Sequence, residues 1–170
     1  VSELVGHHDW IRSIGFHPDG TLVSAGDDGT IRVWDVVAAQ TVRAIQPRPH
    51  VIYAIQMSAD AQHLAAVGFE SRLRMYDLDD GDAATELDCP CRDMRAVAFS
   101  PLGALLSAGG RNGQIRVWDR TSGQLLRDLD AHESRIRAIA FSPSGTRLAS
   151  AGEGRYLRLW DMGSGQEINR

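Results

Sequence analysis

Four copies of one pattern run the length of this chain. The segments IRVWD at 31–35, LRMYD at 73–77, IRVWD at 115–119 and LRLWD at 157–161 recur with a constant step, their aromatic residues Trp34, Tyr76, Trp118 and Trp160 standing 42 residues apart. A second motif precedes each copy: IRSIGFHPDG at 11–20, IYAIQMSADA at 52–61, MRAVAFSPLG at 94–103 and IRAIAFSPSG at 136–145. Between the two lies a third, LVSAG, LAAVG, LLSAG and LASAG, beginning at Leu22, Leu64, Leu105 and Leu148. A fixed period of this length marks a repeat architecture, in which one supersecondary unit stacks on the next. The units read as residues 6–46, 47–88, 89–130 and 131–170, so that 1–170 is one repeat array.

Each unit reads as short strands. Ile, Arg, Val and Trp alternate over 31–34, which puts Ile31 and Val33 on one strand face and Arg32 and Trp34 on the other. Pro-Asp-Gly at 18–20 and Pro-Ser-Gly at 143–145 are turn tripeptides, and Asp28-Gly29 and Asn112-Gly113 are two-residue hairpin signals. A further strand follows each aromatic segment, as at 124–129 after Thr121-Ser122-Gly123. Four antiparallel strands in 42 residues make a sheet too small to bury its own faces. Stacking such sheets radially buries the faces and protects the edges. The expected fold class is all-β, with four blades of four antiparallel strands.

These residues resemble the WD-repeat β-propeller family over essentially the whole chain, through the Gly6-His7 and Ala131-His132 openings and the closing Trp-Asp pairs. In that family a His before the first strand, a Ser or Thr in the second, an Asp in the next hairpin and the Trp form a hydrogen-bonded set. The resemblance implies a complete set in the first repeat: His7, Ser24, Asp28 and Trp34. The fourth keeps His132, Ser150 and Trp160, with Gly154 at the Asp position. The third keeps Ser107 and Trp118, with Asn112 for the acid and Pro90 for the His. The second departs everywhere, with Arg48, Ala66, Glu70 and Tyr76. Each lost hydrogen bond removes roughly 1 kcal/mol, so the second and third blades are expected to be less firmly pinned.

The resemblance also implies a partner-binding rim. Its positions are Trp10, Val51, Asp93 and Arg135 before the first strands, and Asp27, Phe69, Arg111 and Glu153 before the hairpin acids. Trp10 and Phe69 would then be exposed aromatics beside charges of both signs, or Trp10 would pack into a neighbouring blade. Aromatic and Arg residues are the usual interface anchors. The mixed charge favours a protein or peptide partner, and no cofactor is expected.

Composition bears on the chemistry the chain can perform. All 18 basic residues are Arg. The absence of Lys excludes phosphate-loop and Schiff-base chemistry, and beside 20 Ala it points to a GC-rich, bacterial coding sequence. A net charge of -4 disfavours a nucleic-acid partner. With no apolar run of membrane-spanning length and no signal peptide expected, neither a membrane partner nor export is expected, and the chain reads as cytoplasmic.

His7, Ser24 and Asp28 are the residue types of a hydrolytic triad, yet no strand-turn-helix elbow presents the Ser, so they read as a buried network and no catalytic residue is expected. Adjacent side chains of an extended His7-His8-Asp9 point apart and do not suit a metal. Cys89 and Cys91 have no second pair, and His50 is not at a ligand spacing, so they read as two loop thiols. Arg32, Arg74, Arg116 and Arg158 recur as a ring but are expected to stack or pair locally, and Asp79, Asp80 and Asp82 read as a solvated turn.

Propellers of this family usually close with about seven blades, and eight also occur. Arg170 falls at the repeat position of Asp128, and Val1 at that of Leu126. Two chains joined end to start would therefore continue the repeat nearly in phase. The expected function is a non-enzymatic protein- or peptide-binding scaffold, completed to eight blades by a homodimer, or else continued by the remainder of the same propeller. The alternative is a regulatory or sensory C-terminal propeller segment of a larger bacterial signalling enzyme, a kinase or NTPase.

Overall fold

The computed structural model describes residues 3–45, 50–78 and 84–169. Blade 1 contains β1 (Ile11–Phe16), β2 (Leu22–Gly26), β3 (Ile31–Asp35) and β4 (Gln40–Ile45). Blade 2 contains β5 (Ile52–Met57), β6 (His63–Gly68), β7 (Arg72–Asp77) and β8 (Ala84–Asp88). Blade 3 contains β9 (Ala96–Phe99), β10 (Leu105–Gly109), β11 (Gln114–Asp119) and β12 (Leu125–Asp130). Blade 4 contains β13 (Ile136–Phe141), β14 (Arg147–Gly152), β15 (Leu157–Asp161) and β16 (Glu167–Asn169). Each blade is an antiparallel meander with strands in chain order, and the first strands of successive blades lie against one another.

The core lies between the blades. The forward face of blade 1 (Val23, Ala25, Ile31, Ile45) meets Ile52, Leu64 and Tyr76 on the rear face of blade 2, with Ile55 and Met57 packed on the same cluster. Blade 2 presents Ala65, Val67, Leu73 and Leu87 to Met94, Phe99, Leu106 and Trp118 of blade 3. Blade 3 presents Ile115, Val117 and Leu129 to Ile136, Leu148 and Trp160 of blade 4. Strict alternation along each strand supplies both faces at once. Each fully buried Leu or Ile contributes roughly 1.5–3 kcal/mol, so the three seams hold the array together.

The two outer faces stand open. Ile11, Ile14 and Phe16 of blade 1 occupy the positions of Ile52, Ile55 and Met57, and they are 51%, 64% and 68% exposed. At the far end Leu157 is 62% exposed, where its equivalents Ile31, Leu73 and Ile115 are fully buried.

Strand register corrects one alignment. Ser24 lies opposite Arg32, Ala66 opposite Arg74 and Ser150 opposite Arg158. The residue opposite Arg116 is Ala108, not Ser107. The third motif of blade 3 is therefore in phase from Leu106, and the letters LLSAG misled by one position. A one-residue slip reverses the face on which a side chain lies. Ser107 accordingly sits on the face of Val23 and Ala65, fully buried, and its hydroxyl has no hydrogen-bond partner.

Cys89 and Cys91 also depart from expectation: they are joined as a disulfide, and both are buried in the seam between blades 2 and 3. A turn at Pro90 and Cys91 brings the two Cα atoms to 5.0 Å, within the range a disulfide spans.

Because Ser107 holds a buried hydroxyl without a partner, Ser107→Ala should leave stability unchanged or raise it by up to about 1 kcal/mol. Urea unfolding followed by tryptophan fluorescence measures this, and a loss above that size would mean the hydroxyl is bonded.

Candidate functional site

Blade 1 carries the full polar set. The His7 Nδ1–H donates to Asp28 Oδ2 at 2.8 Å. His7 Nε2 then accepts from the Ser24 hydroxyl at 2.6 Å, and Ser24 Oγ in turn accepts from Trp34 Nε1–H at 2.7 Å. Thr30 adds its backbone N–H and its hydroxyl to Asp28 Oδ1, at 3.0 and 2.9 Å. The network thus ties the entry segment, the second strand, the hairpin and the third strand into one unit. Burial pushes the Asp28 carboxyl upward, but the hydrogen bonds from Thr30, His8 and His7 outweigh it and hold the group at about 2. Ser24 is buried mid-strand with its oxygen bonded on both sides, so no substrate carbonyl can reach it in the folded chain.

The other blades solve the same problem differently. In blade 4, His132 Nε2 and Trp160 Nε1–H both meet Ser150 Oγ at 3.0 Å, with Gly154 in place of the acid. Burial, and then the nearby Arg158 charge, hold the His132 imidazole below its usual range. In blade 3, Asn112 donates its amide to the Pro90 carbonyl at 3.2 Å, and Ala108 replaces the Ser.

Blade 2 substitutes an ion pair that the sequence reading missed. Arg74 donates two bonds to Glu70, at 2.5 and 2.7 Å, and its Nε–H donates to Glu86 at 3.1 Å. The Arg74 guanidinium, with burial opposing it, holds Glu70 below the ordinary glutamate range. Burial pushes the Tyr76 phenol up to about 12, and its hydroxyl has no partner. The available signal was Glu70 at the Asp position, four residues before an Arg on the strand that closes the same hairpin. Arg48, the fourth member read for this blade, lies outside the described residues, as do Asp79, Asp80 and Asp82.

The remaining members of the Arg series also engage locally. Arg32 lies 5.8 Å from the centre of the Trp34 ring, Arg116 bonds Asp128 at 3.0 Å, and Arg158 lies 3.7 Å from Glu167. Among the described residues no group of three or more His, Cys, Asp or Glu side chains is placed to hold a metal, and no helix is long and apolar enough to cross a membrane.

At the rim, Trp10 and Phe69 are 70% and 64% exposed, so Trp10 does not pack into a neighbouring blade. Arg12 lies 4.9 Å above the Trp10 ring and also pairs with Asp27, donating from Nε–H at 2.8 Å. Asp93 is nearly buried and takes Arg135 at 2.8 Å and Arg95 at 3.3 Å. Arg135 also reaches Glu153, which Arg137 clasps from the other side. Val51 is half-buried, and its carbonyl accepts the Phe69 N–H. Four of the eight rim positions, Asp27, Asp93, Arg135 and Glu153, are therefore held in internal ion pairs. Trp10, Phe69 and Arg111 present their side chains outward.

The family model for the WD domain, G-beta repeat (WD40) matches residues 1–35, 84–119 and 123–161. The chain belongs to the WD40 repeat family. The WD40 match leaves out 36–83, which contains the first three strands of blade 2, where an Arg–Glu pair stands in place of the family's polar set. The chain is 37% identical over 67 residues to the nuclear distribution protein PAC1-1 of Uncinocarpus reesii, covering 38% of this chain and 15% of that protein. It is 37% identical over 76 residues to coronin-7 of Rattus norvegicus, 44% of this chain and 8% of the other. It is 33% identical over 79 residues to WD repeat and SOCS box-containing protein 1 of Mus musculus, 45% of this chain and 19% of the other. The matched stretches thus span less than a fifth of these relatives.

Two outcomes test the WD40 network. Ser24→Ala removes one hydroxyl that serves both His7 and Trp34, and should cost roughly 2–3 kcal/mol in urea unfolding, in contrast to Ser107→Ala. A loss below about 0.5 kcal/mol would mean the network does not pin blade 1. The Asp28 carboxyl lies at about 2 when folded, below the usual 3.8, so the unfolded chain takes up its proton first. Its stabilisation is fully present above about pH 4 and is lost as pH falls toward 2. The stability gap between the native chain and Asp28→Asn should accordingly close over that window, and a gap independent of pH would refute the assignment.

Proposed function

We propose that this chain is a non-enzymatic protein-interaction module that docks a protein or peptide on the rim carrying Trp10 and Phe69. The observation that carries the reading is the exposure of these two aromatic side chains at 70% and 64% on a rim whose neighbouring charges are mostly paired off. Large exposed aromatics that make no seam of their own are the usual anchors of binding surfaces. A net charge of -4 makes protein a better partner here than nucleic acid.

A second element concerns assembly, and the open end faces favour it. The rear face of blade 1 offers Ile14 and Phe16, and the forward face of blade 4 offers Leu157, at positions that the internal seams cover in part or in full. A second copy of this chain has the complementary face at each end, so a head-to-tail pair closes as an eight-bladed ring. Burying both end faces also removes apolar surface of the kind that otherwise promotes aggregation.

Light scattering behind size exclusion, over a range of concentrations, should give a species near twice 18.6 kDa. Ile14→Glu with Phe16→Glu should convert it to a monomer. A native chain that is monomeric at all concentrations, or a polydisperse ladder, would overturn the closed pair. Peptides selected from a displayed library should lose binding to Trp10→Ala with Phe69→Ala while the thermal melt stays within about 2 °C. Retained binding would remove the rim from the proposal.

A further inference from the structure

The rim breaks its own pattern at blade 3. In blades 1, 2 and 4 the backbone N–H of Asp27, Phe69 or Glu153 donates to the carbonyl of Trp10, Val51 or Arg135. In blade 3 the corresponding N–H, that of Arg111, reaches past Asp93 and donates to the carbonyl of Arg92 at 2.8 Å. The chain makes this shift by holding Arg92 and Asp93 in succession in the left-handed region, with φ of 41° and 46°. Residues with a Cβ seldom adopt that conformation, and two in a row are held only by their surroundings. Gly110 lets the strands close here, since a Cβ on it would lie 2.0 Å from the Cys91 carbonyl oxygen.

The consequence is electrostatic. Arg92 and Arg111 stand side by side and exposed, and neither makes an ion pair with a described residue. Asp93 also lines this place, but its carboxylate is paired with Arg135 and Arg95 rather than with either of them. The Asn112 amide is directed to the Pro90 carbonyl and to Gln114. A groove of about 540 Å³ runs between the two blades, with Phe69 and Ser71 on the blade 2 side and the two arginines on the other. That volume suits a short stretch of peptide.

We infer that this groove takes an acidic peptide segment, with Asp or Glu carboxylates on Arg92 and Arg111 and an apolar side chain on Phe69. The inference rests on the rim being the docking surface and names what one part of that rim selects. Guanidinium groups hold carboxylates through paired, charge-assisted bonds. Two cations beside an exposed ring suit a peptide with mixed acidic and apolar residues better than a nucleic-acid backbone, whose binding needs many contacts along its length.

Fluorescence anisotropy with labelled Glu-Glu-Phe-Glu-Glu, and with its Gln-for-Glu counterpart, tests this on the full chain. The acidic peptide should bind at least about tenfold more tightly, and should weaken as salt rises from about 50 mM to about 300 mM. Arg92→Asn with Arg111→Ser should lose about tenfold in affinity with an unchanged melt, since both side chains lie outside the core and Asn tolerates the left-handed backbone. Phe69→Ser should lower affinity in the same direction. Equal binding of the Gln peptide, an unaffected double variant, or tighter capture of a phosphoserine peptide or oligothymidine through the same arginines would overturn the inference. If the acidic peptide fails while library-selected peptides still bind and are lost on Trp10→Ala, this inference falls and the rim reading stands. If no peptide of either kind binds, both fall.

Discussion

The packing of one blade's forward face into the next blade's rear face is the interaction on which everything else in this chain rests. A lone four-stranded meander of this size would leave one face or the other in water. Here Ile31, Leu73 and Ile115 are each fully buried because a neighbour covers them. Leu157, the fourth member of that series, is not covered and is 62% exposed. The array is therefore a set of repeated seams with two unfinished ones, and its open ends have the same chemistry as its interior.

Within that frame the polar networks differ from blade to blade. Each blade ties part of its hairpin, entry segment or inner strands together with polar contacts, though the Tyr76 and Ser107 hydroxyls stay buried without a partner. Blade 1 does so with His7, Ser24, Asp28 and Trp34 in a chain of short hydrogen bonds. Blade 4 manages without the acid, blade 3 uses the Asn112 amide, and blade 2 uses the pairing of Arg74 with Glu70. The expectation that blade 2 is loosely pinned did not include this Arg–carboxylate pair, whose charge-assisted bonds stand where the other set is missing.

The rim shows how internal pairing determines which residues are available outside. Eight positions were legible as a surface, but Asp27, Asp93, Arg135 and Glu153 neutralise one another or the nearby Arg12, Arg95 and Arg137. What remains outward is aromatic or cationic, and it concentrates around Phe69, Arg92 and Arg111. Arg92 could not be foreseen, since only the left-handed backbone at 92–93 brings it beside Arg111.

The sequence by itself determined the all-β class, the four blades, the complete polar set of blade 1 and the exposed aromatic at 69. The class and the blades follow from local alternation and a motif with a constant step, which a single chain displays in its letters, whereas the polar set and the aromatic at 69 were implied by the resemblance to the WD-repeat family. Tertiary structure alone decided the phase of blade 3, where Ala108 rather than Ser107 faces Arg116, because register depends on a partner strand and on the length of the turn between them. It also decided the joining of Cys89 to Cys91, the Glu70–Arg74 substitute and the internal pairing of the rim charges. Those outcomes depend on which side chains meet across strands and blades, and a step of 42 residues fixes where each unit recurs without fixing what its side chains touch.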